Sequence, residues 1–127
     1  MSKDDDSSDR HTFRIAFVGP CGSGKSTVVQ QLRAHGIDAR MPAQEHSGVP
    51  SMWQKLLNPD MLFVLDAPNA VLRERRPGID LNDDYLAEQR RRMRHAYVHA
   101  HATFDTSVLT PEEIVAAVLD IIGESFL

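Results

Sequence analysis

A glycine-rich segment near the N-terminus carries the residue types best suited to chemistry. Residues 19–26 read Gly-Pro-Cys-Gly-Ser-Gly-Lys-Ser, which fits the pattern G-x-x-x-x-G-K-[ST]. Glycines at three of these positions allow backbone conformations that bring N–H groups onto phosphate oxygens. An apolar run precedes the segment and a helical pattern follows it, which is the context that the motif requires. The sequence therefore predicts a phosphate-binding loop.

The loop also indicates the kind of ligand it would hold. Lys25 would reach the β- and γ-phosphates of a nucleoside triphosphate, and the Ser26 hydroxyl would ligate Mg²⁺. The helix that begins here directs the positive end of its dipole at the same anion. We expect the ligand to be Mg²⁺-ATP, and we expect no separate chemistry for Cys21. The residues expected to contact the nucleotide are Gly19, Pro20, Cys21, Gly22, Ser23, Gly24, Lys25, Ser26 and Thr27.

Strand and helix patterns alternate along the chain. Apolar runs predict strands at 13–18, 37–41, 61–65 and 103–106. Periodic patterns and caps predict helices at 25–35, 50–57, 68–76, 83–101 and from 110 onward, the last opened by a capping box. This alternation predicts an α/β three-layer sandwich with about four mostly parallel strands. Together with the phosphate-binding loop, this arrangement resembles the P-loop NTPase type. We expect one domain, 12–127, after a disordered acidic tail, 1–11.

Composition excludes several classes of protein. The net charge of −4 and the pI near 5.8 make nucleic acid an unfavourable partner. The single cysteine rules out an intramolecular disulfide and fits a reducing compartment. No apolar run is long enough to cross a bilayer, and the N-terminus lacks a signal peptide. We therefore expect a cytoplasmic protein with no membrane partner.

Arginines are concentrated on either side of Pro77-Gly78. The two clusters are Arg73, Arg75 and Arg76, and then Arg90, Arg91, Arg92 and Arg94. Phosphoryl transfer depends on positive charge around the moving phosphate, and guanidinium groups supply it well. We expect Arg73, Arg76 and Arg92 to face phosphate and residues 77–84 to form a short lid. The alternative is a solvated basic surface paired with Glu74 and Glu88.

Several segments resemble the P-loop nucleotide kinases, in particular thymidylate kinase and the deoxynucleoside kinases. Residues 65–73 resemble their L-D-x-P-x-x-x-L-x-R segment, and Tyr85-Leu86 with Gln89 and Arg92-Met93 looks like their lid helix. Residues 105–113 resemble the closing strand and last helix, and Glu45-His46-Ser47 is similar to an E-R-S motif with His in place of Arg. The resemblance implies a kinase that transfers the γ-phosphate of ATP to a nucleoside, a nucleotide or another small acceptor. The strings that mark switch GTPases, N-K-x-D and D-x-x-G, do not occur.

Two carboxylates compete for the role of Mg²⁺ ligand or general base. Asp66 ends the most hydrophobic strand, where a magnesium-binding aspartate of a nucleoside triphosphatase lies. In the related kinases, however, the aspartate of this segment is partly structural. Glu45 then becomes the candidate base or magnesium-side residue, and its alternative is an exposed loop acid.

The chain departs from these kinases between the first helix and the strand at Met61. Only about two dozen residues lie there, where kinases of this group insert a helical substrate-binding region and another strand. Three explanations remain open: the acceptor is small, a second subunit completes the site as a homodimer, or transfer activity has been lost. The last corresponds to a nucleotide-binding regulatory or partner-binding module, or an NTPase, with little or no kinase activity.

Overall fold

The computed structural model describes residues 13–126, with side chains through residue 123. The predicted acidic tail, 1–11, lies outside these residues. Within the described part of the chain, no helix is long and apolar enough to cross a membrane.

Four parallel strands form the sheet. They are β1 (Arg14–Val18), β2 (Asp38–Arg40), β3 (Met61–Asp66) and β4 (Ala102–Asp105), in the spatial order β2-β1-β3-β4. All three pairings are parallel, so the connections between strands pass over the faces of the sheet and carry the helices. This confirms the predicted fold class, an α/β sandwich with a parallel sheet, consistent with the P-loop type.

Within residues 13–126, six helices and one 3₁₀ turn connect and flank the strands. The helices are α1 (Lys25–Ala34), α2 (Met52–Leu57), α3 (Asn69–Arg75), α4 (Asp83–Arg92), α5 (Arg94–His99) and α6 (Pro111–Phe126). The 3₁₀ turn, Gln44–His46, follows β2 and lies between the predicted strand 37–41 and the predicted helix 50–57. The capping box of α6 is confirmed, since the backbone N–H of Glu113 donates to Thr110 Oγ1 and that of Thr110 donates to Glu113 Oε1.

Alternate residues of the strands pack on opposite faces of the sheet. Ile15 and Phe17 of β1 belong to a cluster that includes apolar side chains of α1 and α6. Ala16 and Val18 belong to a second cluster with Trp53 of α2 and residues of α5. Because each face buries an apolar layer, the strands read as continuous hydrophobic runs.

The long helix predicted over 83–101 is wrong in two respects. It is interrupted at Met93, whose φ of −99° and ψ of 8° separate α4 from α5, and it ends at His99. The two halves pack in different places: Leu86 of α4 belongs to a third cluster with Ala67 and Leu72, whereas Met93 and Ala96 pack with residues of β1 and β3. A straight helix would not pack against both clusters.

Candidate functional site

The turn after β1 brings the backbone unusually close to β3. A Cβ placed on Gly19 would lie 1.9 Å from the carbonyl oxygen of Leu65, so only glycine fits there. Gly22 and Gly24 have φ values of 85° and 94°, a region that side chains other than glycine rarely adopt. Gly24 is the N-cap of α1, and the helix begins at Lys25. Residues 19–26, called the glycine loop below, therefore wrap around the N-terminus of α1.

The glycine loop borders a cavity of about 400 Å³, the loop cavity. Its walls combine the loop with side chains that follow β2 and α3. They are Cys21, Gly22, Ser23, Gly24, Lys25, Ser26, Met41, Glu45, Arg75 and Arg76. Three of these side chains are cationic and one is acidic. The first N–H groups of a helix have no partner within the helix, so the start of α1 adds hydrogen-bond donors to this positive wall.

A second cavity of about 300 Å³ adjoins the first. The two share Ser23, Gly24 and Arg75 as wall residues. The remaining walls are mostly apolar and come from α1, from the segment after β4 and from the start of α6: Thr27, Val28, Thr106, Leu109, Pro111 and Ile114. We call it the apolar cavity. The loop cavity and the apolar cavity together form a polar compartment beside an apolar one.

Lys25 is held inside the glycine loop. Its Nζ donates to the carbonyl oxygen of Gly19, lies 3.4 Å from that of Pro20, and lies 3.8 Å from Glu45 Oε2. Burial lowers the pKa of Lys25, and the negative charge of Glu45 partly offsets this effect. The positive charge of the Lys25 ammonium is thus only partly neutralised within the protein. The ammonium lies where an anion bound in the loop cavity would contact it.

Two buried polar atoms point to a ligand at the same place. Among the described residues, Ser23 Oγ and Glu45 Oε1 are the buried side-chain atoms with no hydrogen-bond partner. Both residues line the loop cavity, and Glu45 is only 8% exposed. Because buried polar groups almost always have a partner, two such atoms at one cavity indicate that water or a ligand completes them.

The 3₁₀ turn holds Glu45 in position through its buried neighbour Gln44. The Gln44 amide donates to the carbonyl oxygens of Val49 and Arg92, and its Oε1 accepts from the backbone N–H of Trp53. This glutamine was not singled out from the sequence. A buried amide with three backbone partners depends on contacts that are remote in the chain, so periodicity gives no signal for it.

The arginines are distributed differently from the sequence expectation. Arg76 lines the loop cavity, and its neighbour Arg75 lines both cavities. Arg73 instead pairs with Asp83 at 2.8 Å, and Arg92 pairs with Glu88 at 2.9 Å, so neither lines these cavities.

Arg75 connects the glycine loop to the end of β4. It donates to the Gly22 carbonyl oxygen at 3.0 Å and to the side chain and carbonyl oxygen of Thr106 at 2.8 and 2.7 Å. The helical pattern of α3 could not reveal this role, because successive arginines on a helix point about 100° apart and the pattern does not fix which one faces the loop.

Asp66 is the centre of a hydrogen-bond network. Oδ1 accepts from the backbone N–H of Ala67 at 2.7 Å, and Arg90 donates to both carboxylate oxygens at 3.0 Å. The Tyr97 hydroxyl donates to Oδ2. The hydrogen bond to Asp66 raises the pKa of Arg90. Burial, together with Asp66, raises the pKa of Tyr97. Asp66 does not line the loop cavity, although its charge opposes the lowering of the Lys25 pKa.

Cys21 is oriented by a buried side chain of α4. Gln89, only 2% exposed, accepts from the backbone N–H of Cys21 at 3.2 Å and donates to its sulfur at 3.2 Å. The Cys21 sulfur, the Glu45 carboxylate and the His46 ring each present a ligating atom within 4.8 Å of the others. The sequence does not indicate this grouping, because 24 residues separate the first of them from the next.

His95 and His99 lie four residues apart on α5, and their rings are engaged by contacts within the protein. Their rings stack at 4.1 Å, Trp53 Nε1 donates to His95 Nδ1 at 3.2 Å, and His99 Nδ1 lies 2.8 Å from the His95 carbonyl oxygen. One nitrogen of each ring is therefore engaged within the protein.

Comparison with known proteins supports the fold. No protein-family model matches the chain, and no curated protein sequence is similar to it. Among solved structures, the chain is similar to the YorR protein of Bacillus subtilis, determined in complex with phosphorylated GDP. The two are 16% identical with a TM-score of 0.63, and the match covers 89% of this chain and 97% of YorR. At this identity, the likeness shows a shared fold.

Proposed function

We propose that this protein binds a magnesium nucleoside triphosphate and moves its γ-phosphate to a small hydroxyl or phosphate acceptor, such as a nucleoside or nucleotide. The observation that carries the proposal is the composition of the loop cavity. The N-terminus of α1 and the cationic side chains of Lys25, Arg75 and Arg76 all line this one space. Three cations and a helix N-terminus around one cavity match a polyanion with several oxygens. A neutral or cationic ligand would leave these charges uncompensated.

The apolar cavity supports a nucleotide over a simple phosphate. It lies next to the loop cavity and shares the wall formed by Ser23, Gly24 and Arg75. A nucleotide has the same division, with a charged phosphate chain at one end and a flat, largely apolar base at the other. We place the base beside Leu109 and Pro111, with the Arg75 guanidinium at the junction between base and phosphates.

The residues around the loop cavity fit a magnesium ion. Ser26 offers an exposed hydroxyl at the first turn of α1, and Glu45 offers a carboxylate oxygen that has no partner. Both are oxygen ligands, which Mg²⁺ prefers. When bound, Mg²⁺ neutralises charge on the β- and γ-phosphates.

The two carboxylates then take different roles. Glu45 lies at the loop cavity, 3.8 Å from Lys25, and it can serve the metal or accept a proton from the attacking hydroxyl. Asp66 has both oxygens engaged by Arg90 and Tyr97, so we assign it to positioning α4 and α5.

Adenine and guanine are the two candidate bases for the apolar cavity. The structural neighbour YorR was determined with phosphorylated GDP, a guanine nucleotide, whereas the sequence expectation is ATP. The walls of the apolar cavity combine four aliphatic side chains with the polar side chains of Ser23, Thr27, Thr106 and Arg75. Both ATP and GTP belong in the test.

A second candidate is a nucleotide-binding module with little turnover. Its support is the connection from β2 to β3, which contains only the 3₁₀ turn Gln44–His46 and α2. Trp53 anchors α2 in the cluster on the sheet, which leaves no separate helical layer for an acceptor among the described residues.

Calorimetric titration with Mg²⁺-ATP and Mg²⁺-GTP tests binding. We expect at least one to bind, and we expect Lys25→Ala to weaken that binding by about 10- to 100-fold, since a hydrogen bond to a charged group contributes about 1.5–3 kcal/mol. Lys55→Ala is the matched control, because Lys55 is exposed on α2 and should leave affinity unchanged. Equal affinity in wild type and Lys25→Ala would contradict the proposal.

Incubation with γ-labelled nucleotide and a panel of nucleosides and nucleotides tests transfer. We expect label on at least one acceptor and none with Glu45→Gln. Tight nucleotide binding with no labelled product across the panel would favour the binding module.

A further inference from the structure

We propose that Cys21, Glu45 and His46 form a binding site for a thiophilic divalent cation of the Zn²⁺ type at the rim of the loop cavity. The inference does not depend on the proposed function, since it concerns the protein without nucleotide. Its basis is the approach of three different ligand types, a sulfur, a carboxylate oxygen and an imidazole nitrogen, to within 4.8 Å of one another. We call this group the rim site.

One oxygen of the rim-site carboxylate has no hydrogen-bond partner in the described part of the chain. Glu45 is 8% exposed, and its Oε1 has no hydrogen-bond partner among the described residues. Its Oε2 lies 3.8 Å from Lys25 and 3.6 Å from His46, both longer than a hydrogen bond. A buried carboxylate is costly unless it is paired or binds a metal. The ion pairs with Lys25 and His46 involve only Oε2, and a cation bound by the carboxylate would supply a further partner.

The sulfur is held toward the same point. Cys21 lines the loop cavity, and Gln89 fixes it through one hydrogen bond to its backbone and one to its sulfur. Gln89 itself is buried. A fixed neighbour of this kind orients a ligand before the metal arrives, as the outer partners of metal ligands do.

The third ligand is the adjustable one. The His46 side chain is 54% exposed, whereas the Glu45 side chain beside it is 9% exposed and held by the 3₁₀ turn. Ligand atoms around tetrahedral zinc are roughly 3.5 Å apart, given metal–ligand distances of about 2.0–2.3 Å. His46 Nε2 and Glu45 Oε2 are already 3.6 Å apart, and the group of three, within 4.8 Å, has to close by about 1 Å to reach the zinc spacing.

The set of ligands selects the class of cation. Thiolate and imidazole favour Zn²⁺ and Co²⁺, while Mg²⁺ takes oxygen ligands and leaves sulfur unbound. On binding, Cys21 loses its thiol proton to solvent and the thiolate sulfur coordinates the cation. Three protein ligands leave a fourth position open to water on the cavity side.

Titration of the full chain with Co²⁺, without nucleotide, tests the rim site. Cys21 is the only cysteine in the chain, so a sulfur-to-cobalt charge-transfer band can come from no other residue. We expect that band together with visible bands of tetrahedral Co²⁺, at one ion per chain. Zn²⁺ should remove the bands, and excess Mg²⁺ should not.

Variants separate the rim site from adventitious binding. Cys21→Ser should abolish the charge-transfer band, and His46→Asn and Glu45→Gln should each weaken Co²⁺ binding at least about tenfold. His35→Asn and His99→Asn are the controls and should leave the affinity unchanged. Circular dichroism of each variant confirms that it is folded.

Two results would overturn the proposal. One is the absence of a charge-transfer band in the folded wild type, and the other is a band that persists undiminished in both His46→Asn and Glu45→Gln. Failure of nucleotide binding would leave the cobalt result intact, because no nucleotide is present in this titration.

Discussion

Neighbouring arginines in this protein have separate roles. Arg75 and Arg76 are adjacent at the end of α3 and line the loop cavity, whereas Arg73, one turn earlier, pairs with Asp83 and the carbonyl oxygen of Leu81. Leu81 is itself buried against Leu72 of α3. The segment predicted as a lid is therefore anchored at Leu81, and any closing movement would involve the residues around this point.

Asp38 provides a residue-scale prediction about pH. Burial raises its pKa, but hydrogen bonds from Arg40 and Arg14 outweigh this effect and hold the pKa below its usual value. A lowered pKa in the folded state stabilises the protein above the unfolded-state pKa, and this stabilisation is lost as pH falls through the native pKa.

We therefore expect Asp38→Asn to reduce the free energy of unfolding by about 1 kcal/mol at neutral pH, a figure discounted for the partial exposure of the pair. The difference from wild type should disappear in acid below the native pKa of Asp38. Urea denaturation across this pH range measures it. Asp80→Asn is the control, since Asp80 is exposed and its hydrogen-bond partner is the neutral amide of Asn82. A deficit that persists unchanged in acid would contradict the assignment.

At the scale of elements, the ends of β1 and β3 determine the shape of the glycine loop. Gly19 leaves β1 directly against the Leu65 carbonyl near the end of β3, and the two strands pair in parallel through Val18 and Val64. The loop can then turn back to start α1. Its glycines are required by both local conformation and this close approach.

Gly19→Ala tests that approach. A Cβ at 1.9 Å from a backbone oxygen cannot be relieved by rotating a side chain, so the strands must separate. We expect a loss of about 2–3 kcal/mol in the free energy of unfolding, measured by urea denaturation. Gly48→Ala is the matched control, because an added Cβ there meets nothing within 4 Å, and we expect a change within about 1 kcal/mol. Similar values for the two variants would show that the approach is not tight.

The break at Met93 is also an element-scale feature with a functional consequence. α4 carries Gln89 and Arg90, which contact Cys21 and Asp66, while α5 carries Tyr97, which also donates to Asp66. The turn between the helices lets both converge on the end of β3. Asp66 thus links the two helices to the strand beside the loop cavity.

At the scale of the whole molecule, the sheet joins the two faces into one unit. Odd and even residues of β1 and β3 contribute to different apolar clusters, so neither face can lose its packing without exposing the same strands. From this arrangement we propose that the chain folds as the single domain predicted from the sequence.

We expect one cooperative unfolding transition, with Trp53 fluorescence and far-UV circular dichroism giving the same midpoint. Trp53 reports on the second cluster, and circular dichroism reports on all helices. A nucleotide at about 100 times its dissociation constant should raise the free energy of unfolding by about 2.7 kcal/mol, because it binds only the folded state. At the same nucleotide concentration the increase should fall to about 0.4–1.4 kcal/mol in Lys25→Ala, because binding is about 10- to 100-fold weaker. Separate midpoints for the two probes would argue for two units.

The sequence by itself determined the features that are encoded locally. The glycine loop, the alternating strands and helices and the capping box at Thr110 follow from contiguous residues, because backbone conformation and periodicity depend on near neighbours. The tertiary structure decided which distant side chains meet: Arg75 with Thr106, Asp66 with Arg90 and Tyr97, and Cys21 with Glu45 and His46. These contacts depend on how helices cross the sheet and where α4 turns into α5, and a one-dimensional pattern does not specify either.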